Sequence, residues 1–138
     1  LQLDQAEYLM VKSLAYDLPL SLQTSFSSMA THPLTPQILE MVRVYEQMRL
    51  AGEVDAATCA RLQELGKDFI MLRVDGKRSF VEMQPVASVA GTQDVRAFVG
   101  KRAGGAVGAA TMNNGQSDVE YRARLCGLWA GRASSPAW

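Results

Sequence analysis

FIMLRVDGKRSFVEM, residues 69–83, is the stretch that decides how this chain folds. Two apolar runs flank Asp75-Gly76, and an Asp-Gly pair accepts the positive φ angles of a type I′ turn, whose twist suits paired strands. The stretch is expected to be a β-hairpin with a two-residue loop, and such a loop fixes the register. Val74 then faces Lys77, Arg73 faces Arg78, Leu72 faces Ser79, Met71 faces Phe80 and Ile70 faces Val81. The base of this hairpin is apolar on both faces and its tip is basic. Pro85 ends the second strand, because proline cannot donate to a ladder.

Upstream of the hairpin the apolar period is helical. Residues 36–51 form the strongest helix: Thr35 suits the N-cap, Pro36 the first helical position and Gly52 the end. Ile38, Met41, Val42, Tyr45 and Met48 make one stripe, with Gln37, Glu40, Arg43 and Gln47 toward water. Asp55 caps a second helix over residues 56–65, closed by Gly66. The short link of residues 52–55 makes these two helices an antiparallel pair. Residues 1–16 are helix-compatible, with Leu3, Ala6, Met10 and Leu14 on a rough stripe, and Asp17 with Pro19 signals a stop or a restart. In residues 19–32 Leu20, Leu22, Phe26 and Met29 stand among Ser and Thr, and helix and irregular structure are not separable by pattern.

Downstream, Val119, Tyr121, Ala123 and Leu125 alternate with Glu120, Arg122 and Arg124, the mark of a half-buried strand that continues toward Trp129. Residues 95–99 and 106–112 are weaker strand candidates, and Asn113-Asn114-Gly115 is a turn into the last strand. The fold expected is α+β in a single domain of 138 residues, with residues 1–65 helical and packed on a small antiparallel sheet over residues 66–130. Residues 131–138 lack periodicity and form a loose tail.

With 48% apolar and 20% charged residues, the chain has the composition of an ordinary globular domain and not of a disordered one. No apolar stretch approaches the roughly 18 to 20 residues of a membrane span; residues 18–39 hold no Asp, Glu, Lys or Arg but are rich in Ser and Thr. A soluble protein is expected. The compartment stays open, since a start at Leu1 in place of Met is compatible with a removed leader. Charge divides unevenly: residues 1–65 carry four bases and eight acids, 4 − 8 = −4, and the remainder ten bases and six acids, 10 − 6 = +4. Such asymmetry fits an acidic partner for the second half, or attraction between halves within or between subunits.

Opposed arginines at the hairpin tip cost up to about 1 kcal/mol unless an anion lies near. Arg73, Lys77 and Arg78 are therefore candidates for contact with nucleic acid or an acidic partner, with Arg96, Lys101, Arg102, Arg122 and Arg124 as extensions. A stacking platform is missing, because only Phe80, Phe98 and Tyr121 lie near these bases in sequence. The run GKRAGGAVG, residues 100–108, does not match a phosphate-binding loop and reads as a surface loop. Trp138 is a candidate anchor for a partner's pocket, since Trp is enriched among binding hot spots.

Catalytic inventory is thin. His32 is the only histidine and has no nearby carboxylate in sequence; Cys59 and Cys126 stand 67 positions apart without metal-ligand spacing. No catalytic residue, metal site or cofactor is expected. The function expected is a non-catalytic interaction or structural subunit of a larger assembly, with other subunits or further copies of itself as partners. Seven Met residues, the charge asymmetry, the glycine-rich loop and the aromatic tail all suit partner surfaces. The alternatives are a nucleic-acid-binding module using the basic hairpin tip, and a small enzyme or enzyme accessory subunit.

Overall fold

The computed structural model describes residues 1–74, 77–85, 93–101, 107–115, 119–124 and 128–133. Four helices, α1 (Leu3–Ala15), α2 (Phe26–Thr31), α3 (Thr35–Ala51) and α4 (Ala56–Leu62), precede six strands. These are β1 (Asp68–Val74), β2 (Lys77–Pro85), β3 (Val95–Lys101), β4 (Val107–Asn113), β5 (Val119–Arg124) and β6 (Leu128–Ala133). The fold is α+β: N-terminal helices, then an antiparallel sheet in the order β1-β2-β3-β4, with β5-β6 as a two-stranded pair. The chain divides at Lys67 and Asp68 into a helical unit and a strand unit.

In the helical unit α1 packs against both α3 and α4. Leu3, Ala6, Met10, Val11 and Leu14 of α1 meet a core that also holds Ile38, Met41, Val44, Tyr45, Met48 and Leu62. The expected α3 stripe is corrected at one position, for Val44 is buried and Val42 only half so. Both lie about 80° to either side of the stripe's centre at roughly 100° per residue, so neighbouring helices decide between them and periodicity does not. Thr35 is also not the N-cap. That place is taken by Leu34, which is buried, makes no side-chain cap bond and accepts the Ile38 N–H at 2.9 Å through its carbonyl. A turn closed by Thr35 N–H on the His32 carbonyl delivers the chain into α3 already half wound.

Gly52 ends α3 in the left-handed region, φ 61°, as its sequence position implies. The Asp55 side chain caps α4 by accepting the Thr58 N–H at 2.7 Å. α4 stops at Leu62, three residues short of the expected end. Its last carbonyl finds a long-range donor instead of another helical turn: Lys12 Nζ donates to the Leu62 carbonyl at 2.7 Å. In exchange, Gln63 Nε2 donates to the Ala15 carbonyl at the end of α1, 2.6 Å away. Each helix thus supplies the group that completes the other's C-terminus.

In the strand unit β1 and β2 pair in the register set by a two-residue connection, Val74 opposite Lys77 through Asp68 opposite Met83. Asp75 and Gly76 themselves lie outside the described residues. Phe69, Ile70, Met71, Phe80, Val81, Met83, Val95, Ala97, Phe98 and Met112 are buried. Among the described residues β2 pairs with β3 at Gln84–Val99 and Pro85–Phe98, and β3 pairs along its whole length with β4.

Two expectations for the C-terminal part are corrected. The strand beginning near Asp118 does not run on toward Trp129, and residues 131–133 are not loose: the chain doubles back as β5 and β6, with Arg124 opposite Leu128 and Val119 opposite Ala133. The second strand, LWAGRA, carries two alanines and a glycine in six positions, which erase the alternation that would announce it.

Candidate interaction surface

The basic residues singled out in the sequence fall on different parts of the strand unit. Arg73 stands opposite Arg78 at the free end of the β1–β2 hairpin, and Lys77 and Arg78 are exposed. Arg96 is exposed too, but on the far side of the β2–β3 junction. Val99 pairs with Gln84, six positions along β2 from Arg78, and Arg96 lies three further on, a separation of about 30 Å along the strands. Lys101, paired with Val107, is on the hairpin side of that junction. Arg122 and Arg124 belong to β5, opposite Ala130 and Leu128. The sheet therefore groups Arg73, Lys77 and Arg78 at one end and sets Arg96 apart from them. Arg102, Cys126 and Trp138 lie outside the described residues.

His32 and Cys59 have local structural surroundings. The His32 ring accepts the Leu34 N–H on Nδ1 at 3.2 Å, where α2 hands over to α3. Cys59 sits half-buried in the middle of α4, with Sγ 3.9 Å from the Val54 carbonyl oxygen. Among the described residues no group of three or more His, Cys, Asp or Glu side chains is placed to hold a metal ion, and no helix is long and apolar enough to cross a membrane.

Acidic groups of the helical unit are largely engaged within it. The Arg43 guanidinium forks onto Glu40, and Arg49 joins Glu46 to Asp17 at 2.9 Å each, tying the end of α3 to the chain leaving α1. Lys67 meets Glu64 at 2.8 Å. Hydrogen bonding from Arg43 and Arg49 holds the carboxyls of Glu40 and Glu46 below the usual range, and the Thr58 backbone N–H and hydroxyl do the same for Asp55.

Six of the seven methionines do not form a surface, the exception being Met29 of α2, which is half-buried. Met10, Met41, Met48, Met71, Met83 and Met112 are all buried, so they fill the two cores.

Sequence reasoning did not find the surface that stands out. α2 buries none of its six residues. Ser25 caps it, accepting the Ser28 N–H at 3.1 Å, yet Phe26 at its first position is 93% exposed. Leu18 and Leu22 precede it, 58% and 42% exposed. Tyr8 and Leu9 of α1, with Tyr16 at its C-cap, add exposed apolar surface. Scattered exposed apolar side chains are ordinary. A nearly bare phenylalanine on a helix that buries nothing, within an uncharged run of residues 18–39, is not. The available signal is the absence of charge over that run, whose abundant Ser and Thr leave helix and irregular structure unseparated.

No protein-family profile, no curated protein and no solved structure matches this chain.

Proposed function

We propose that this protein is a non-catalytic interaction subunit that binds another protein, or a further copy of itself, through the apolar side chains of residues 18–31. The observation that carries this reading is Phe26, 93% exposed on a helix with no buried residue. Covering a phenylalanine removes enough apolar area from water to contribute about 1.5 to 3 kcal/mol, and a few such anchors suffice for a specific contact. An uncharged surround lowers the desolvation cost of docking there.

Mass in solution, measured by light scattering over a range of concentrations, tests self-association; affinity recovery from the source tests a different partner. The expected result is a species heavier than the chain, or one partner recovered reproducibly and lost on Phe26→Ser. A monomer at high concentration, together with no partner recovered, overturns the reading.

The register favours a second reading, nucleic-acid binding at the hairpin tip, because it brings the basic residues Arg73, Lys77 and Arg78 to one end of the β1–β2 pair, where a phosphate backbone would find several cations. Binding to generic DNA or RNA that weakens steeply with salt supports it, with a smaller salt slope for Lys77→Gln. No binding at low salt removes it.

A further inference from the structure

We propose that Asn114-Gly115, at the turn leaving β4, is a site of spontaneous covalent modification, closing to a succinimide and opening to aspartate and isoaspartate. The chain has only two asparagines, Asn113 and Asn114, and the structure places them differently. Asn113 is the last residue of β4, is 2% exposed and stands opposite Val95 in the ladder. The nitrogen that would attack its side chain is that of Asn114, whose N–H donates to the Asp94 carbonyl at 2.8 Å and closes the end of the β3–β4 pair. Ring closure at Asn113 therefore requires the ladder to open.

Asn114 lies past the ladder and is half-buried. Its attacking nitrogen belongs to Gly115, which has no Cβ to hinder approach and the widest choice of φ and ψ. That N–H donates to Asn113 Oδ1 at 2.8 Å, a side-chain acceptor that a rotamer change withdraws without breaking a strand pair. Asn113 thus acts as a brake on its neighbour's chemistry.

The step is balanced. Gly115 N loses its proton and bonds to Asn114 Cγ; the Cγ–Nδ2 bond breaks, and Nδ2 takes up a proton and leaves as ammonia. Water then opens the ring. Addition at Cγ gives aspartate, and addition at the main-chain carbonyl carbon of residue 114 gives isoaspartate. One water is consumed and one ammonia released, with no change of oxidation state.

The test incubates the full chain in neutral and mildly alkaline buffer and follows ammonia release, with peptide mapping by mass spectrometry and enzymatic methylation of isoaspartate. Acid and isoaspartate are expected at position 114 ahead of 113, faster at higher pH because the attacking nitrogen must lose its proton. Asn114→Gln should suppress the ammonia, since glutamine must close a larger ring. Asp75-Gly76 can cyclise in the same way, but it loses water and not ammonia, so the two sites separate. Asn113→Ala should accelerate conversion at 114 by about two- to tenfold, the rate equivalent of one ordinary hydrogen bond. Far-UV circular dichroism establishes that this variant is folded; if it is not, Asn114→Gln and the order of conversion in the native chain decide. Conversion at Asn113 first, ammonia unchanged by Asn114→Gln, or an Asn114 still intact when a free peptide of residues 110–118 has fully converted, would each overturn the proposal.

Discussion

Tyr45 donates its phenolic hydrogen to Glu7 Oε1 across the α1–α3 contact at 2.9 Å, and both side chains are almost wholly buried. A carboxyl in that position is costly unless it is hydrogen-bonded. Tyr45→Phe removes one of its donors and is expected to lower stability by about 1 to 3 kcal/mol. Glu7→Gln keeps an acceptor for the hydroxyl and should cost less than Glu7→Ala. Combining Glu7→Leu with Tyr45→Phe should recover part of the loss, because both polar partners leave together. Urea-unfolding midpoints for the two single variants and the double give the coupling directly. Strictly additive losses would mean the two groups do not stabilise each other.

Glu7 also shows where sequence and structure part company. The α1 stripe of Leu3, Ala6, Met10 and Leu14 is legible because apolar spacing reports which face is inward, and Asp55, Gly52 and the Asp75-Gly76 register are legible because each serves a local backbone need. A charged residue on the inward face is invisible to the same rule, since its partner is 38 positions away. The early end of α4 has the same origin, because its carbonyl partner Lys12 is remote. Strand β6 was hidden by its small residues. Phe26 reads in the sequence only as one apolar residue among Ser and Thr, because nothing in a single sequence distinguishes an apolar residue that meets its own core from one left outside.

Gly100 marks the tightest approach of β3 to β2. A Cβ there would lie 2.1 Å from the Glu82 carbonyl oxygen and 2.7 Å from Met83 Sδ. The sulfur can move, but the backbone oxygen cannot without shifting β2, which pairs with β3 right beside this contact at Gln84–Val99. Gly100→Ala is therefore expected to cost about 1 to 3 kcal/mol, the usual range for overpacking. Thermal melts followed by near-UV circular dichroism, with amide exchange of the strand unit, would register it. An unchanged melt would show that the junction yields more easily than this contact implies.

Acid should weaken the helical unit through particular carboxylates. Hydrogen bonding from Arg49 lowers the folded-state pKa of Glu46, and the Thr58 backbone N–H followed by its hydroxyl lowers that of Asp55. A carboxyl whose folded pKa lies below its unfolded one contributes stability that is complete above the unfolded value. That contribution is lost as pH falls through the folded value. The melting temperature should therefore decline as pH passes from about 5 downward through the carboxylate range. Glu46→Gln with Asp55→Asn should flatten that decline while retaining a neutral cap at position 55. A pH profile superimposable on that of the unmodified chain would remove these two groups from the account.

Phe26 separates association from folding. Because it is 93% exposed and α2 has no buried residue, Phe26→Ser, alone or with Leu22→Ser, should leave the melting temperature within a degree or two of the parent, as surface substitutions away from caps and cores generally do. Met41→Ala supplies the opposite control: that side chain is fully buried, and its truncation should cost about 2 to 5 kcal/mol. If residues 18–31 form the docking surface, the serine variants abolish the heavier species in light scattering, or the recovered partner, at unchanged stability, while Met41→Ala lowers stability first and association only as folded protein is lost. Equal loss of association and melting temperature in the serine variants would instead place Phe26 in the fold's own energetics, and association untouched by both serines would move the docking surface elsewhere on the chain.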